Sequence, residues 1–254
     1  MPLSPARVLR TFRYAMFFDG VDDYVYIINS EGFPHVLKPL DGTAMAWVMW
    51  PASQIPRLGV DPLRNTFTVG YTLARADPSW IYNVHIFDSD NQWKWIARNI
   101  PVPLNVFHHV AMRWVSGQAG WWFLNTEFKG TGAIKTINYI DPGSGKSPGV
   151  YIGRDWWNYA RLFISNIMIY SRALSDSEIL FNYNNPDNPI RNGLVLWLQA
   201  DPTYIRDIDG DGVPEWLDLS GYGNHGKIYG ARLVEIVKTP ARTLPVARAL
   251  PTAR

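Results

Sequence analysis

The sequence predicts an all-β protein, a sandwich of two packed antiparallel sheets with one short helix. Aromatic residues make up 14% of the chain, 12 of them tryptophan, and they stand in short runs broken by Gly, Pro, Asn and Asp, which is a β-rich signature. One run, Ala44-Met45-Ala46-Trp47-Val48-Met49-Trp50, is apolar on both faces and so reads as a central strand covered on both sides. Only one segment has the signals of a helix.

In chain order, residues 1–13 form a basic arm with Arg7, Arg10 and Arg13 and no acid. Candidate strands follow at Ala15–Phe18, Tyr24–Ile28, Thr43–Trp50, Thr66–Thr72, Ile81–Phe87, Trp93–Ala97, His108–Trp114, Gly120–Leu124, Val150–Gly153, Leu162–Tyr170 and Leu194–Gln199. Each is a short aromatic or β-branched run bounded by turn residues. His108 and His109 begin a strand and point to opposite faces, so one is expected packed and the other exposed. The helix, Ser175 to Tyr183, opens on a Ser-x-x-Glu capping box, Ser175 with Glu178. Asn184-Asn185-Pro186 stops it, because proline cannot continue a helix and disfavours helical geometry before it. Residues 235–254, with their Pro-Ala-Arg flavour and no strand periodicity, read as an extended arm.

These elements carry a resemblance. Phe18-Asp19-Gly20-Val21-Asp22-Asp23-Tyr24-Val25-Tyr26-Ile27, then Ala46-Trp47-Val48, then Phe107-His108-His109-Val110-Ala111, then Arg172-Ala173-Leu174-Ser175-Asp176-Ser177-Glu178-Ile179, together resemble the laminin-G-like, concanavalin A-like lectin-glucanase domains, a superfamily that includes the pentraxins. The resemblance implies the jelly roll over about residues 14–183 and a lectin, adhesion or spacer role. Two positions depart from it: Phe107 replaces the usual Trp, and Asn125-Thr126 stands where a hairpin Asn-Gly is common. Gly193-Leu194-Val195-Leu196-Trp197-Leu198 and the stretch from Asp218 to Ala231 look like opening strands of such a domain, yet they come last. Either a single domain, residues 14–234, is circularly permuted, with the 193–231 motifs returning beside the first strands, or these strands complete a neighbouring copy.

Composition excludes several functions. With 254 residues, 47% hydrophobic and 18% charged, the chain can bury a full core. No apolar stretch nears the roughly 18 residues of a membrane span, and the start lacks the apolar core of a secretory signal. There is no cysteine, hence no disulfide, thiolate metal site or cysteine nucleophile. The net charge of +2 divides into two basic arms around an acidic body, but the arm cations are too dispersed to predict nucleic-acid binding.

The sharpest local signal is Asp207-Ile208-Asp209-Gly210-Asp211-Gly212-Val213-Pro214-Glu215-Trp216-Leu217-Asp218. It matches a calcium loop, with ligands from Asp207, Asp209, Asp211, the Val213 carbonyl, Glu215 and Asp218. Acids crowded into one turn repel one another unless a cation neutralises them; a solvated acidic turn is the alternative. Asp19, Asp22 and Asp23 form a second acidic group, whose carboxylates equally suit bonding to turn amides.

Catalysis is not predicted. Sandwich glycosidases carry two carboxylates on one strand at a separation of about 5 Å, and no two of the five glutamates here, at 31, 127, 178, 215 and 235, lie within five residues of each other. Gly143-Ser144-Gly145-Lys146-Ser147-Pro148-Gly149 lacks the strand-and-helix context of a nucleophile elbow or a phosphate loop. Recognition falls instead to exposed aromatics. Among Trp93, Trp95, Trp121, Trp122, Trp156 and Trp157, strand alternation turns one ring of each adjacent pair outward. The loop Arg154, Asp155, Trp156, Trp157, Asn158, Tyr159 combines cation, acid, amide and rings, and is the leading contact site for a glycan or a protein surface. The sequence thus predicts a non-catalytic, Ca2+-stabilised recognition module of an extracellular surface or virus particle. The alternative is a structural subunit of a virion or filament, self-assembled through its arms and exchanged strands.

Overall fold

The computed structural model describes residues 12–28, 30, 35–52, 71–72, 81–89, 93–138, 149–154 and 159–236. The strands are β1 (Tyr14–Asp19), β2 (Tyr24–Ile27), β3 (Gly42–Met49), β4 (Tyr71–Thr72), β5 (Ile81–Phe87), β6 (Trp93–Pro101), β7 (His108–Val115), β8 (Ala119–Leu124), β9 (Glu127–Ala133), β10 (Val150–Ile152) and β11 (Arg161–Tyr170). Helix α1 (Asp176–Asn184) follows, then β12 (Leu194–Gln199), β13 (Ile205–Arg206), β14 (Glu215–Trp216), β15 (Gly226–Tyr229) and β16 (Arg232–Glu235). The fold is the expected all-β antiparallel sandwich.

One sheet runs β16-β1-β11-β3-β7-β8-β9 and the facing one β10-β2-β15-β14-β13. A smaller sheet, β4-β5-β6, is an addition that the two-sheet expectation did not contain. Along one edge of β11, residues 161–164 pair with β1 and residues 166–170 with β12, while β3 lies along the other edge. Of the motifs that look like opening strands, β12 pairs with β11 and β15 with β2, and β16, which follows them, pairs with β1.

Alternation along the strands builds the core. Met16 and Phe18, Val25 and Ile27, Ala44, Ala46 and Val48, Val110 and Met112, and Val150 and Ile152 all point between the sheets and are fully buried. The second face of β3 is covered too. Met45 packs with Ala111, Phe123, Met168, Tyr170, Leu174, Ile179 and Trp197, and the Trp47 ring lies 4.9 Å from that of Tyr183 on α1.

The helix begins as its capping box requires. Ser175 Oγ accepts from the Glu178 amide at 3.3 Å, and Glu178 Oε2 accepts from the Ser175 amide at 2.8 Å. Arg172 adds a bidentate pair to the same carboxylate at 3.0 and 2.6 Å. That hydrogen bond is the main reason the Glu178 carboxyl is held down to about 2. The Arg-Ala-Leu-Ser-Asp-Ser-Glu string is thus one electrostatic clasp that fixes where α1 leaves the sheet. Asn182 then fastens it, donating to Tyr170 Oη at 3.0 Å and accepting from the Ile190 amide at 2.9 Å.

Covering this face corrects the histidine expectation: both His108 and His109 are buried. His108 Nε2 lies 2.5 Å from Tyr82 Oη, which also accepts from Trp50 Nε1 at 2.7 Å. His109, on the other face, lies between Trp47 and Tyr183, with ring centroids at 5.4 and 5.6 Å.

Strand β9 was missing from the sequence reading because Glu-Phe-Lys-Gly-Thr-Gly-Ala has little strand propensity. Its glycines serve packing instead. A Cβ at Gly130 would stand 2.6 Å from the Ile96 carbonyl oxygen, and one at Gly132 only 2.0 Å from that of Trp95, so β6 crosses β9 backbone to backbone. The turn joining β8 to β9 places Asn125 at φ 49° and Thr126 at φ 69°, the left-handed pair that favours Asn-Gly. A β-branched residue there is strained. Thr126→Gly is therefore expected to raise stability by about 0.5 to 1 kcal/mol, read as a higher urea midpoint with an unchanged slope; an unchanged or lower midpoint contradicts it.

Candidate functional site

The outer face of the second sheet gathers aromatic residues from three strands. Val25, Ile27, Val150, Ile152 and Ile228 face the core, so alternation turns Tyr24, Tyr26, Tyr151, Lys227 and Tyr229 outward, where each is half-buried. Register aligns them: Tyr151 stands opposite Tyr26, Tyr26 opposite Lys227, and Tyr24 opposite Tyr229. The Tyr24 and Tyr229 rings stack at 4.7 Å and 18°, and those of Tyr26 and Tyr151 lie 4.9 Å apart. Arg154 and Tyr159 form an isolated bridge beside them. The Arg154 guanidinium carbon lies 5.0 Å from the Tyr24 and Tyr151 ring centroids and 5.2 Å from that of Tyr159. Burial pushes the Tyr24 hydroxyl upward, Arg154 pulling the other way.

Of the contact loop read from the sequence, Arg154 and Tyr159 therefore meet at this face, whereas Asp155, Trp156, Trp157 and Asn158 lie outside the described residues, as does the Gly143–Pro148 string. The tyrosines were missed. Their outward turn was legible in Tyr24-Val25-Tyr26-Ile27, but their convergence needs β10, β2 and β15 side by side. Of the tryptophans, Trp122 is fully buried and Trp121 half-buried with the Arg113 guanidinium 5.2 Å from its ring, while Trp95 is exposed under Arg98 at 4.5 Å.

On the same sheet, the loop between β13 and β14 brings Asp207, Asp209, Asp211 and Glu215 together, with one carboxylate oxygen from each within 4.8 Å of the others. Gly210 and Gly212, at φ 78° and 86°, make the turn. Asp207 accepts from the amides of Gly210 and Gly212 at 2.7 and 2.9 Å, Asp209 from that of Asp211 at 3.2 Å, and Asp211 from that of Val213 at 2.9 Å. Glu215 is fully buried: Oε2 accepts from the Ile208 amide at 2.9 Å, and Oε1 has no hydrogen-bond donor. Lys227, opposite Glu215 in register, inserts its ammonium among the acids. It pairs with Asp211, lies 2.9 Å from Asp209 Oδ2 and 3.9 Å from Glu215 Oε1. These contacts, with Asp211 first, push the Lys227 ammonium well above the usual lysine range, and the Lys227 hydrogen bond holds the Asp209 carboxyl below its ordinary value.

Asp218 does not join this cluster, which corrects its assignment as a ligand. Its carboxylate is buried and accepts from the amides of Trp197, Ser220 and Asn224 at 2.9, 2.9 and 3.0 Å, tying β12 to the following turn. A short loop closes on Glu215 before position 218 is reached. The remaining four acids, hard oxygens with one buried and undonated, fit a divalent cation. The second group, Asp19, Asp22 and Asp23, also lies within metal-binding distances, but Asp23 accepts from the Asp19 amide at 2.8 Å and Asp19 from the Val21 amide at 2.7 Å.

A laminin-G-type family model, described as the concanavalin A-like lectin/glucanases superfamily, matches residues 19–180. No curated protein matches the sequence. Among solved structures, a candidate carbohydrate binding protein from Bacteroides ovatus superposes with a TM-score of 0.58 at 15% identity, over 89% of this chain and 61% of that one. A sialidase from Trypanosoma rangeli gives 0.49 at 15% identity, over 70% of this chain and 28% of that one. A SAP-like pentraxin from Limulus polyphemus gives 0.37 at 12% identity, over 67% and 82%. The first is a likeness of fold, and this chain spans about three fifths of that protein's length.

Proposed function

Since the chain belongs to the concanavalin A-like lectin/glucanases superfamily, we propose that it is a non-catalytic glycan-recognition module whose contact surface is the tyrosine face around Arg154. The carrying observation is the convergence of Tyr24, Tyr26, Tyr151, Tyr159 and Tyr229 on one outward sheet face, with a guanidinium 5.0 Å from two of the rings. Aromatic faces stack on the apolar faces of sugar rings, while the guanidinium edge and tyrosine hydroxyls donate to sugar oxygens. Strands on a packed core hold these rings, so binding requires little ordering of side chains. The Bacteroides protein of this fold, described as a carbohydrate binding candidate, is consistent with that reading.

Non-catalysis rests on the acids. Among the described residues, Glu127 pairs with Lys129, Glu178 with Arg172 and Glu235 with Arg13, while the 207–215 acids are held by turn amides and Lys227. None of these acids stands as a proton donor beside a second free carboxylate, the arrangement that glycoside hydrolysis needs, and in the separate Asp19, Asp22 and Asp23 group Asp19 and Asp23 accept from turn amides. The 207–215 loop takes Ca2+ as a structural ion through Asp207, Asp209, Asp211 and Glu215, stabilising the edge strand β13 and its neighbour β14.

A glycan array followed by calorimetry with the best hit tests the reading. Tyr24→Ala and Arg154→Met are each expected to weaken binding at least about tenfold, typical of removing a central aromatic or Arg contact, with melting temperatures shifted little. Binding unchanged in both variants, or no glycan bound by the wild type, refutes it.

A further inference from the structure

We propose that Lys227 is a tethered counter-cation occupying the 207–215 metal site, and that calcium enters by displacing its ammonium. This rests on the reading of the loop as a calcium site and concerns how that site is regulated. Four carboxylates within 4.8 Å of one another require positive charge, and here the strand pairing provides it. Gly226 and Ile228 face inward, so Lys227 points to the loop from a register position directly opposite Glu215. Its side chain is only 15% exposed, against 49% for Asp209 and 45% for Asp211.

The ammonium satisfies this site incompletely. It bonds Asp209 and Asp211, but at 3.9 Å it is too far to donate to Glu215 Oε1. That oxygen is fully buried and has no other donor, an arrangement that proteins avoid because desolvation is then uncompensated. Calcium takes about six to eight oxygens at roughly 2.3 to 2.6 Å, so a central ion can use Glu215 Oε1 together with the three aspartates. An ammonium with three hydrogens cannot. Two cations cannot share these oxygens at close range either. Calcium affinity is therefore lowered by the lysine, and in the calcium-free protein its single positive charge offsets part of the repulsion among the four acids.

The test is calorimetric titration of CaCl2 into the full-length protein and its Lys227→Met variant, with melting curves in chelator and in calcium. Lys227→Met is expected to bind calcium at least about tenfold more tightly, since a competing unit charge within contact distance is removed. It should also melt below the wild type in chelator and recover in calcium, a crossover that loss of an ordinary surface ion pair does not produce. Reaction of the Lys227 amine with an acylating reagent, followed by mass spectrometry, should rise as calcium saturates. Asp209→Asn, at an exposed position, should weaken calcium binding; Lys227→Gln repeats the comparison if the methionine variant does not fold. If the wild type binds calcium but the Lys227 variants bind it no more tightly, the exchange is wrong and the calcium reading stands. If neither wild type nor variant binds calcium, both are wrong.

Discussion

Gly132→Ala is expected to cost about 3 kcal/mol of stability, near the upper end for overpacking in a closely packed region. The added methyl would sit 2.0 Å from the Trp95 carbonyl oxygen, a backbone atom that cannot turn aside as a side chain can. Either β6 lifts off β9, opening the core around Ile96, or the hairpin slides. Gly117→Ala is the control. Gly117 has φ +76° but nothing within 4 Å of a Cβ, so its substitution costs only the left-handed backbone penalty of about 1 to 2 kcal/mol. Urea unfolding should rank the two clearly; equal losses would show that β6 does not rest on β9 as described.

Acid should destabilise the protein through His109 from near neutral pH downward. The imidazole is buried between Trp47 and Tyr183, and burial, with a smaller contribution from His108, lowers its pKa to about 3. In the unfolded chain it titrates near pH 6.5. Below that pH the unfolded state takes up a proton that the folded state refuses, so stability is lost as pH falls toward about 3. Each pH unit is worth about 1.4 kcal/mol, so the loss is about 2 kcal/mol between pH 6.5 and 4.5 and about 4 kcal/mol over the interval. Glu178 acts separately: its folded value of about 2 lies below its ordinary 4.5, so its stabilisation is lost only as pH drops from about 4.5 toward 2. His109→Phe, which keeps an aromatic ring in the stack, should flatten the loss between pH 7 and 4.5. A slope identical to wild type in urea titrations would remove His109 as the cause.

How legible each feature was depended on whether its cause is local. The capping box at Ser175 and Glu178, the apolar run of β3 and the inward and outward turns of Trp122 and Trp121 follow from helix and strand geometry within a few residues. The β8–β9 turn was marked by Asn125 and Thr126, yet the strand behind it was hidden, because Gly130 and Gly132 are chosen by what crosses over them. His109 was expected at the surface or in the core by alternation alone; α1, laid on that face by the Arg172–Glu178 clasp, decided the matter. Asp218 fits a linear ligand pattern but turns to the amides of residues 197, 220 and 224, since the loop closes around Glu215 first.

The class of the fold, its antiparallel strands, the helix α1 and the acidic turn at 207–211 were legible in the chain, because periodicity, caps and turn residues act over short distances. That tyrosines from β2, β10 and β15 share a face with Arg154, and that Lys227 stands among the acids, follows from how the strands pair. Those neighbours are far apart in the chain, and register, which sets every side chain of a strand to one face or the other, is fixed by pairing and burial across the whole sandwich.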